Sequence, residues 1–389
     1  MKIVVAQDSL HAAGGVDSYL RSILPALQAR GHQVRVLYQR CAAAGPDGTS
    51  DAIGVEDVGV EAAMATLRSF CPDVCFSHNM GPLEIDRRLV GLWPVVKMMH
   101  GYFGTCISGL KSHAFPARCA CDRTLGPACL ALYGPRRCGR LDPIQMVRDY
   151  RWARAQRSLF DDYAAIVVAS RHMGEEYERN GVSIGRLEVL PLFSGLPGDR
   201  SRRPKDDLET ILFAGRMTSI KGGDVALEAV ARAVGLTSRP LRIILAGDGP
   251  QRAQWQELAT RLGVTAEFPG WLAGDALTSA FREASMIVVP SLWPEPFGLV
   301  GLEAGSFGVP AIAFDVGGVR EWLDPQRSGV LVNPAEGAFG LAVAMASLVD
   351  NPSLQARLGD GARAMAERLS LESHVDRLEA VLRRAAGVS

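Results

Sequence analysis

The chain alternates short apolar runs with longer amphipathic stretches, and this alternation restricts its fold more than any other feature. KIVVAQ, QVRVLYQ, PDVCFSH and VVKMMH are near-continuous apolar runs of strand length, and AAIVVAS and LEVLPLF follow them. Strands that lack polar alternation are typical of a parallel sheet covered on both faces. Helix-length segments such as GVDSYLRSILPALQARG separate these runs. The pattern predicts an α/β domain over residues 1–192.

A second α/β domain follows a polar stretch. SGLPGDRSRRPKDDLE contains two prolines and two glycines, which predicts an interdomain linker at 193–208. Strand-like runs then alternate with helix-like segments again, from TILFAGR to GVLVN, over residues 209–370. Residues 335–386 read as helical throughout, and 371–389 is predicted to be a helix that packs back on the N-terminal domain. Two doubly wound domains facing one another would form a cleft, with ligands at the carboxyl ends of the strands.

Length, charge and hydropathy exclude several classes of protein. A chain of 389 residues is long enough for two domains. Its formal net charge is zero, so its overall charge gives no indication of a nucleic-acid partner. No apolar run approaches the ~20 residues of a transmembrane helix. MKIVVAQDSL reads as a first strand rather than a signal peptide, so a cytoplasmic location is expected. The eight cysteines then predict no disulfide framework.

Two cations follow the first strand of the second domain. FAGRMTSIKGG leaves a strand and enters a helix, and Gly215 permits a tight turn there. Arg216 and Lys221, with backbone donors at the helix N-terminus, would suit a diphosphate. The alternative is a pair of surface charges at a strand end. LAGDGP ends a second strand in the same way, although Asp-Gly is also a common turn pair.

Two carboxylates lie eight positions apart in PEPFGLVGLEAGSFGVPAIAFD. Glu303, inside a helix of small residues, could accept hydrogen bonds from a vicinal diol such as a ribose. Glu295, on the preceding loop, could do the same for a sugar hydroxyl. The backbone N–H groups of residues 297–299 lie between them at a helix start and can meet a phosphate. The alternative is that Glu303 pairs with a nearby arginine.

Together, these segments resemble a known family. GRMTSIKGG, GDGP, EPFGLVGLEA and GVPAIAFDVGG occur in this order. They resemble the retaining glycosyltransferases of family 4, including the two glutamates separated by seven residues. GGVDSYL and HGYFG extend the resemblance more weakly into the first domain. The resemblance implies the GT-B fold, in which two Rossmann-like doubly wound α/β domains face a central cleft.

The resemblance also implies roles for four catalytic residues. Arg216 and Lys221 match the basic pair that binds the nucleotide diphosphate and stabilises it as the leaving group. Glu295 matches the carboxylate that contacts the transferred sugar, and His100 matches a histidine near that sugar. His100 could instead be a satisfied histidine at a strand end.

Other positions match the family's donor-binding site. Glu303 corresponds to the carboxylate that holds the ribose hydroxyls. The remaining matches are Gly14 and Gly15 in the N-terminal glycine loop, Gly215, the nucleotide loop Gly247, Asp248 and Gly249, Gly270 and Trp271 beside the base, and Phe297, Gly298 and Leu299 as backbone contacts. The family often has Glu where this chain has Asp17, so Asp17 is interpreted first as a helix-start charge.

The implied reaction transfers a sugar from a UDP- or GDP-sugar to a hydroxyl of a sugar or lipid-linked acceptor. It would retain the anomeric configuration and need neither a metal nor a cofactor. Negative charge builds on the β-phosphate as the sugar departs, and a dry cleft with preorganised donors would stabilise it. Polysaccharide, lipopolysaccharide or glycolipid synthesis is the expected setting.

Residues 101–145 form a long segment that departs from the simplest family pattern. They contain five of the eight cysteines, at 106, 119, 121, 129 and 138, without a paired Cys-x-x-Cys. Thiols that stiffen the segment are expected, and zinc at Cys119 and Cys121 is the alternative. A connector this long is usually functional or disordered, and we expect it to shape the acceptor side.

Basic residues follow this segment. Arg148, Arg151 and Arg154 recur every three residues, and Arg157 continues the series, which predicts a helix with one basic face. Such a face would suit an anionic acceptor or peripheral contact with the inner face of a membrane. The alternative is a solvated face balanced by acids elsewhere.

Two other functional classes remain open. One is a different enzyme on this fold, such as a sugar-nucleotide epimerase; a phosphorylase would need a late pyridoxal-binding lysine, and the last lysine is Lys221. The other is a non-catalytic sugar-nucleotide binder, or a redox or metal protein built around the cysteines.

Overall fold

The computed structural model describes residues 1–10, 15–41, 52–78, 80–198 and 208–388. Its contacts divide the chain into two compact units. The first comprises Met1–Ala117, Cys121–Pro191 and Leu371–Ser389, and the second comprises Arg118–Ala120 and Leu192–Ser370.

Each unit is built on a parallel sheet, as the apolar runs predict. The strands up to residue 191, of which only β7 belongs to the second unit, are β1 (Lys2–Leu10), β2 (Gln33–Cys41), β3 (Ile53–Gly54), β4 (Val74–Ser77), β5 (Val95–Met99), β6 (Ser112–His113), β7 (Cys119–Ala120), β8 (Ala165–Val168) and β9 (Leu187–Val189). Seven of them form one sheet in the order β3-β2-β1-β4-β5-β8-β9, with parallel pairing throughout. The helices between them are α1 (Gly15–Ala29), α2 (Val55–Val58), α3 (Val60–Phe70), α4 (Leu83–Val90), α5 (Ala128–Arg136), α6 (Pro143–Arg157) and α7 (Arg171–Arg179).

The second unit repeats this plan with a six-stranded sheet. Its strands are β10 (Glu209–Ala214), β11 (Leu241–Ala246), β12 (Ala266–Gly270), β13 (Met286–Val289), β14 (Ala311–Phe314) and β15 (Gly329–Val332). They lie in the order β12-β11-β10-β13-β14-β15 and are all parallel. Its helices are α8 (Gly223–Ala233), α9 (Arg252–Leu262), α10 (Gly274–Glu283), α11 (Leu299–Ser306), α12 (Gly337–Asp350) and α13 (Pro352–Arg368).

Both sheets reverse their strand order at one point, next to their first strand. In the first unit the reversal lies between β1 and β4, and in the second it lies between β10 and β13. Loops that leave adjacent strands in opposite directions open a crevice at such a point, where ligands of doubly wound sheets bind. The predicted α/β class is confirmed, and among the described residues the loops that border these crevices follow β4, β10 and β13.

The last helix, α14 (Leu371–Ala386), belongs to the first unit. It contacts α1, and its buried residues are His374, Val375, Leu378, Val381 and Leu382. The guanidinium of Arg30 lies 2.6 Å from a carboxylate oxygen of Asp376 and 3.1 Å from one of Glu379. A segment more than 170 residues downstream of the rest of the first unit therefore completes its core.

Residues 335–386 are helical as predicted, apart from two short breaks that divide the stretch into separate helices. Helix α12 ends at Asp350, and Asn351 caps the next helix by accepting a hydrogen bond from Leu354 N at 3.0 Å. Pro352 then occupies the first position of α13, where its missing N–H costs nothing, and a second break follows Arg368. Capping and proline therefore divide this stretch into α12, α13 and α14.

The predicted basic face of α6 does not extend to Arg157. Steps of three residues drift by about 60° around a helix, so Arg157 lies on the opposite side of α6 from Arg148. It is half-buried, and its guanidinium donates to the carbonyl of Leu125 at 3.0 Å. Arg148, Arg151 and Arg154 remain exposed. Among the residues described, no helix combines the length and apolarity that crossing a bilayer requires.

Candidate functional site

The switch point of the second sheet brings Lys221 and Glu295 together. Lys221 ends the short 3₁₀ turn Ser219–Lys221 after β10, and Glu295 lies in the loop after β13. The Lys221 Nζ atom donates to Glu295 Oε1 at 2.5 Å. Ser291 Oγ and Trp293 Nε1 donate to the same oxygen at 2.6 and 2.9 Å. Two loops 74 residues apart thus meet through one carboxylate.

The surroundings of Glu295 favour its charged form although the residue is only 3% exposed. Burial alone would raise the pKa of Glu295, but the Lys221 ammonium, the Ser291 hydroxyl and the Trp293 indole outweigh it and hold the pKa below its usual value. The Lys221 ammonium also lies 5.5 Å from the centre of the Trp293 ring. Neither Ser291 nor Trp293 was predicted as a site residue; their place in the SLWPEPF segment beside Glu295 was the only signal.

Glu303, in contrast to Glu295, has no cation or hydrogen-bond donor in the described ranges that stabilises its charged form. Its side chain is half-buried in α11, and no group among the described residues forms a hydrogen bond or ion pair with its carboxylate. Burial raises the pKa of Glu303 to about 7. The arginine pair proposed as the alternative is therefore wrong for the described part of the chain. An uncompensated carboxylate of this kind is typical of a binding site in which the ligand supplies the hydrogen-bond donors.

Helix α11 begins without a side-chain cap. Gly298 is the N-cap residue with φ of +86°, and as a glycine it has no side chain that could accept a hydrogen bond from the first turn. Phe297 is buried, and its carbonyl accepts from Trp322 Nε1 at 2.6 Å. The amide groups that begin at Leu299 therefore retain donor capacity for an anion. Trp322 was not predicted; it also packs where a side chain on Gly301 would lie, 2.0 Å from its ring.

Three predicted glycines join the ends of β10, β11 and β12. Gly247 N donates to the carbonyl of Gly270 at 2.7 Å, and a Cβ on Gly247 would lie 1.9 Å from the carbonyl oxygen of Gly215. Gly249 approaches Met217 in the same way, with a Cβ only 2.5 Å from its carbonyl oxygen. Only glycine fits where these loops cross so closely.

The other predicted side chains of the second unit face solvent. Arg216 is exposed and forms no ion pair with a carboxylate in the described ranges. The carboxylate of Asp248 accepts from Gly249 N at 2.7 Å, and Trp271 is 59% exposed directly after β12. All three lie at the carboxyl end of the sheet, on the same edge as Lys221.

The first unit has its own polar cluster at the carboxyl end of its sheet. His100 follows β5, and its Nε2 lies 2.9 Å from Nδ1 of His78, which follows β4. His78 is fully buried, and its Nε2 has no hydrogen-bond partner among the described residues. Burial, with the Lys97 ammonium, lowers the pKa of His100 to about 4. The pKa of His78 is lowered well below its usual value by burial, then by His100 and Lys97.

The network fixes the tautomers of these two neutral rings. If His100 donated to His78 Nδ1, the hydrogen of the neutral His78 ring would lie on Nε2. That N–H would be buried without an acceptor, which is rarer in proteins than a buried nitrogen acceptor without a donor. His78 Nδ1 therefore donates, and His100 carries its hydrogen on Nδ1. The carbonyl of His78 is held by Lys97, which also pairs with Asp86 at 2.6 Å. The sequence predicted His100 but not His78, whose partner is 22 residues away.

An open pocket of about 190 Å³ lies at the switch point of the first sheet. It is lined by Asp8, Met80, Gly81, Lys97, Met99, Phe103, Trp152 and Gln156. The rings of Phe103 and Trp152 meet edge to face at 5.8 Å, and Trp152 Nε1 donates to the carbonyl of Gly81 at 3.0 Å. Of the predicted glycine loop, Gly15 begins α1, whereas Gly14 lies outside the described residues. Asp17 lies in the first turn of α1.

The cysteine-containing segment holds short elements rather than a featureless loop. It includes β6, β7 and α5, and the start of α6. Cys119 is exposed, Cys106, Cys121, Cys129 and Cys138 are half-buried, and all are free thiols. Within the described ranges, no group of three or more His, Cys, Asp or Glu side chains is arranged to hold a metal ion. Lys111 is fully buried and lies 2.7 Å from Glu176 on α7, which ties the segment to the first unit.

Two family models match the two halves of the chain. Residues 14–192 match the glycosyl transferase 4-like domain, and residues 199–365 match glycosyl transferases group 1. D-inositol 3-phosphate glycosyltransferase of Rhodococcus erythropolis is 36% identical over 228 residues, which cover 54% of this chain and 51% of that protein. The chain spans between about a third and a half of the length of the curated relatives it matches.

Solved structures match over nearly the whole chain. Sucrose-phosphate synthase from Thermosynechococcus elongatus has a TM-score of 0.72 at 20% identity and covers 100% of both chains. Anabaena HepE in complex with UDP-glucose has a TM-score of 0.71 at 17% identity and covers 99% of this chain and 100% of its own. At these identities the likeness shows the fold, which is GT-B. With a family model matching each half and this fold throughout, the chain belongs to the glycosyl transferases group 1, the family 4-like glycosyltransferases.

Proposed function

We propose that this protein transfers a sugar from a nucleoside-diphosphate sugar to an acceptor hydroxyl, with retention of the anomeric configuration. The observation that carries the proposal is the pairing of Lys221 with Glu295 at the switch point of the second sheet. The uncapped start of α11 and the unpartnered carboxylate of Glu303 lie on the same loop and helix. A cation, free amides and a lone carboxylate match the diphosphate and ribose of such a donor.

The leaving group would be held by Lys221, Arg216 and the amides at Leu299. As the bond between the anomeric carbon and the diphosphate oxygen breaks, charge grows on the β-phosphate, and these donors stabilise it. The acceptor oxygen forms the new bond on the same face of the sugar, and its proton passes to the departing phosphate. No protein nucleophile and no metal takes part in this scheme.

The ribose would be held by Glu303. Its pKa of about 7 means that donor hydrogen bonds from a diol favour the ionised form, so binding and ionisation are coupled. Glu295 would contact the transferred sugar through its second oxygen, because its first already accepts three hydrogen bonds. His100 would donate from Nδ1 to a sugar hydroxyl, and His78 would position it.

The acceptor is assigned to the open pocket of the first unit. The edge-to-face rings of Phe103 and Trp152 offer apolar surface to a sugar ring, and the carboxylate of Asp8 offers an acceptor for hydroxyl groups. A sugar or lipid-linked acceptor in polysaccharide, lipopolysaccharide or glycolipid synthesis fits this chemistry. The UDP-glucose named with HepE supports a nucleotide-sugar donor of this kind.

A thermal-shift screen with UDP, GDP, ADP and their sugars tests the donor assignment. A ligand at 100 times its Kd stabilises the folded state by about 2.7 kcal/mol, which such a screen detects. Glu303→Gln should lose most of the shift, whereas Glu257→Gln, an exposed glutamate on α9, should keep it. No shift with any nucleotide would overturn the donor assignment.

Turnover separates this proposal from its alternatives. Nucleotide release that requires an acceptor, with an α-linked product from an α-linked donor by NMR, supports retaining transfer. An altered sugar configuration without an acceptor would indicate an epimerase, and binding without any reaction would indicate a nucleotide-sugar-binding protein. Product of inverted configuration would overturn retention alone.

A further inference from the structure

Helix α6 exposes apolar side chains where a solvated helix would be polar. Leu141, directly before the N-cap, is 71% exposed, and Ile144 is 66% exposed. Val147 follows at 37%. Single exposed apolar residues are ordinary, but these three recur at three-residue spacing on one side of the helix start.

These side chains are not the core face of α6. The core face carries Tyr150, Ala153 and Gln156, which are buried. Trp152 and Gln156 line the pocket of the first unit. The apolar tip is therefore a second, outward surface, and packing within the described part of the protein does not account for it.

Arginines continue this outward surface. Arg148 and Arg151 follow Ile144 at i+4 and i+7, so they share its face, and Arg140 precedes Leu141. All three are exposed, and no ion pair joins them to a carboxylate in the described ranges. We name Arg140, Leu141, Ile144, Val147, Arg148 and Arg151 the α6 surface.

Nearby acids do not neutralise it. Asp142 caps α6, and its carboxylate accepts from the amides of Ile144 and Gln145 at 2.9 and 3.2 Å. Asp149 accepts from Gln145 Nε2 at 2.7 Å. Both carboxylates thus accept hydrogen bonds within the helix itself. The positive charge of the arginines on the α6 surface therefore stays available to a partner outside the protein.

We infer that the α6 surface docks the protein on the surface of an anionic lipid bilayer. Apolar side chains entering the boundary between headgroups and acyl chains, flanked by arginines that meet lipid phosphates, are the combination by which a peripheral helix binds such a surface. Charge complementarity selects this occupant over a second copy of the chain, since two copies would bring like charges together. The inference does not depend on the proposed function.

Vesicle co-sedimentation of the full chain tests the inference. Vesicles of phosphatidylcholine alone are compared with vesicles that also contain phosphatidylglycerol, at low and high salt. Each arginine near an anionic bilayer adds roughly fivefold in affinity, so Arg148→Gln with Arg151→Gln should weaken binding roughly 25-fold. Leu141→Ser with Ile144→Ser should weaken it by roughly tenfold or more.

A matched control carries the same charge change elsewhere. Arg232 and Arg261 are exposed in the last turns of α8 and α9, and Arg232→Gln with Arg261→Gln should bind as the parent does. Equal unfolding temperatures for all variants would show that folding is intact. The inference is overturned if the parent does not bind phosphatidylglycerol vesicles, if it binds neutral vesicles equally well, or if the charge variant matches the parent. It is also overturned if the serine variant instead converts a dimer to a monomer.

Discussion

At the scale of single residues, Lys221 and Glu295 depend on one another. Glu295 is buried, and its ionisation rests chiefly on the Lys221 ammonium. Removing one partner of a buried pair leaves an uncompensated charge, whereas replacing both is often nearly neutral. The two loops that meet at the switch point through this pair therefore contribute to folding, whatever ligand they bind.

This dependence predicts the outcome of a double-mutant cycle. Lys221→Met should lower the free energy of unfolding by roughly 2–4 kcal/mol, because Glu295 loses its cation. Adding Glu295→Gln should restore most of that loss, while turnover should stay reduced by about 10²–10³. Urea unfolding and nucleotide release measure the two effects. Equal stability of the single and double variants would contradict the pairing.

Glu303 should show opposite effects on folding and binding. Its raised pKa of about 7 means that the folded state binds more protons than the unfolded state between the ordinary glutamate pKa and 7. Stability should therefore fall as pH rises through that window. Glu303→Gln should raise the free energy of unfolding at pH 8 by about 1–3 kcal/mol and change it less at pH 5.

The same substitution should weaken nucleotide binding at pH 8, where the parent carboxylate is ionised. Parent affinity should rise between pH 6 and 8, and the affinity of the variant should not. Denaturant titrations and calorimetry at both pH values provide the measurements. A variant that is no more stable at high pH would show that the Glu303 carboxylate is already compensated.

His78 should act on His100 rather than on a ligand. His78→Ala removes the donor that holds Nε2 of His100, whereas His78→Asn places an amide N–H near the position of Nδ1. We expect Ala to lower kcat about tenfold or more and Asn to recover part of it, since proper orientation of one donor is worth several kcal/mol at most. Nitrogen NMR should show the Nδ1–H tautomer of His100 in the parent. The opposite tautomer would exclude this arrangement.

At the scale of elements, the apolar runs predicted most strands. A parallel strand buried on both faces consists almost entirely of apolar residues and can therefore be recognised in the sequence. Such runs predicted β10, β11 and β13 with small shifts at their ends. The apolar runs did not predict the edge strand β3, because it has only two residues, Ile53 and Gly54, which pair with β2. Periodicity could not predict His78 or Trp322, since their roles come from partners distant in sequence. The roles of Lys221, Glu295 and Glu303 were assigned through the family resemblance and stay predictions, whereas the contact between Lys221 and Glu295 depends on the fold.

Docking of α14 predicts an acid sensitivity in the first unit. His374 Nδ1 bonds the carbonyl of Pro191 at 2.8 Å, so its Nε2 accepts from the Tyr19 hydroxyl at 2.9 Å. Burial lowers the pKa of His374 to about 4, so the unfolded state binds more protons between pH 4 and 6.5. Stability should fall as pH falls through that window. His374→Gln should cost about 1 kcal/mol at pH 7 and lose less stability on acidification, as unfolding curves at pH 7 and 5 would show. An unchanged pH dependence would exclude His374 as a contributor.

At the scale of the whole molecule, the two long crossings of the chain between its units follow Pro191 and Ser370. The first unit is completed only when α14 arrives at the end of the described chain. By contrast, the second unit is continuous from Leu192 to Ser370 apart from three residues, Arg118–Ala120. The two units should therefore respond differently to loss of the C-terminal segment.

Truncation after Ser370 should unfold the first unit and spare the second. Four buried apolar side chains of α14, Val375, Leu378, Val381 and Leu382, would leave the core. At about 1.5–3 kcal/mol each, they contribute roughly 6–12 kcal/mol, which is comparable to the stability of a whole domain. Limited proteolysis with mass spectrometry should then degrade residues 1–191 and leave a protected fragment near 192–370. Truncation after Ala386 keeps the helix and should protect both units. Equal protection of residues 1–191 in the two truncations would show that α14 is dispensable, because the core beneath it would then be stable without its side chains.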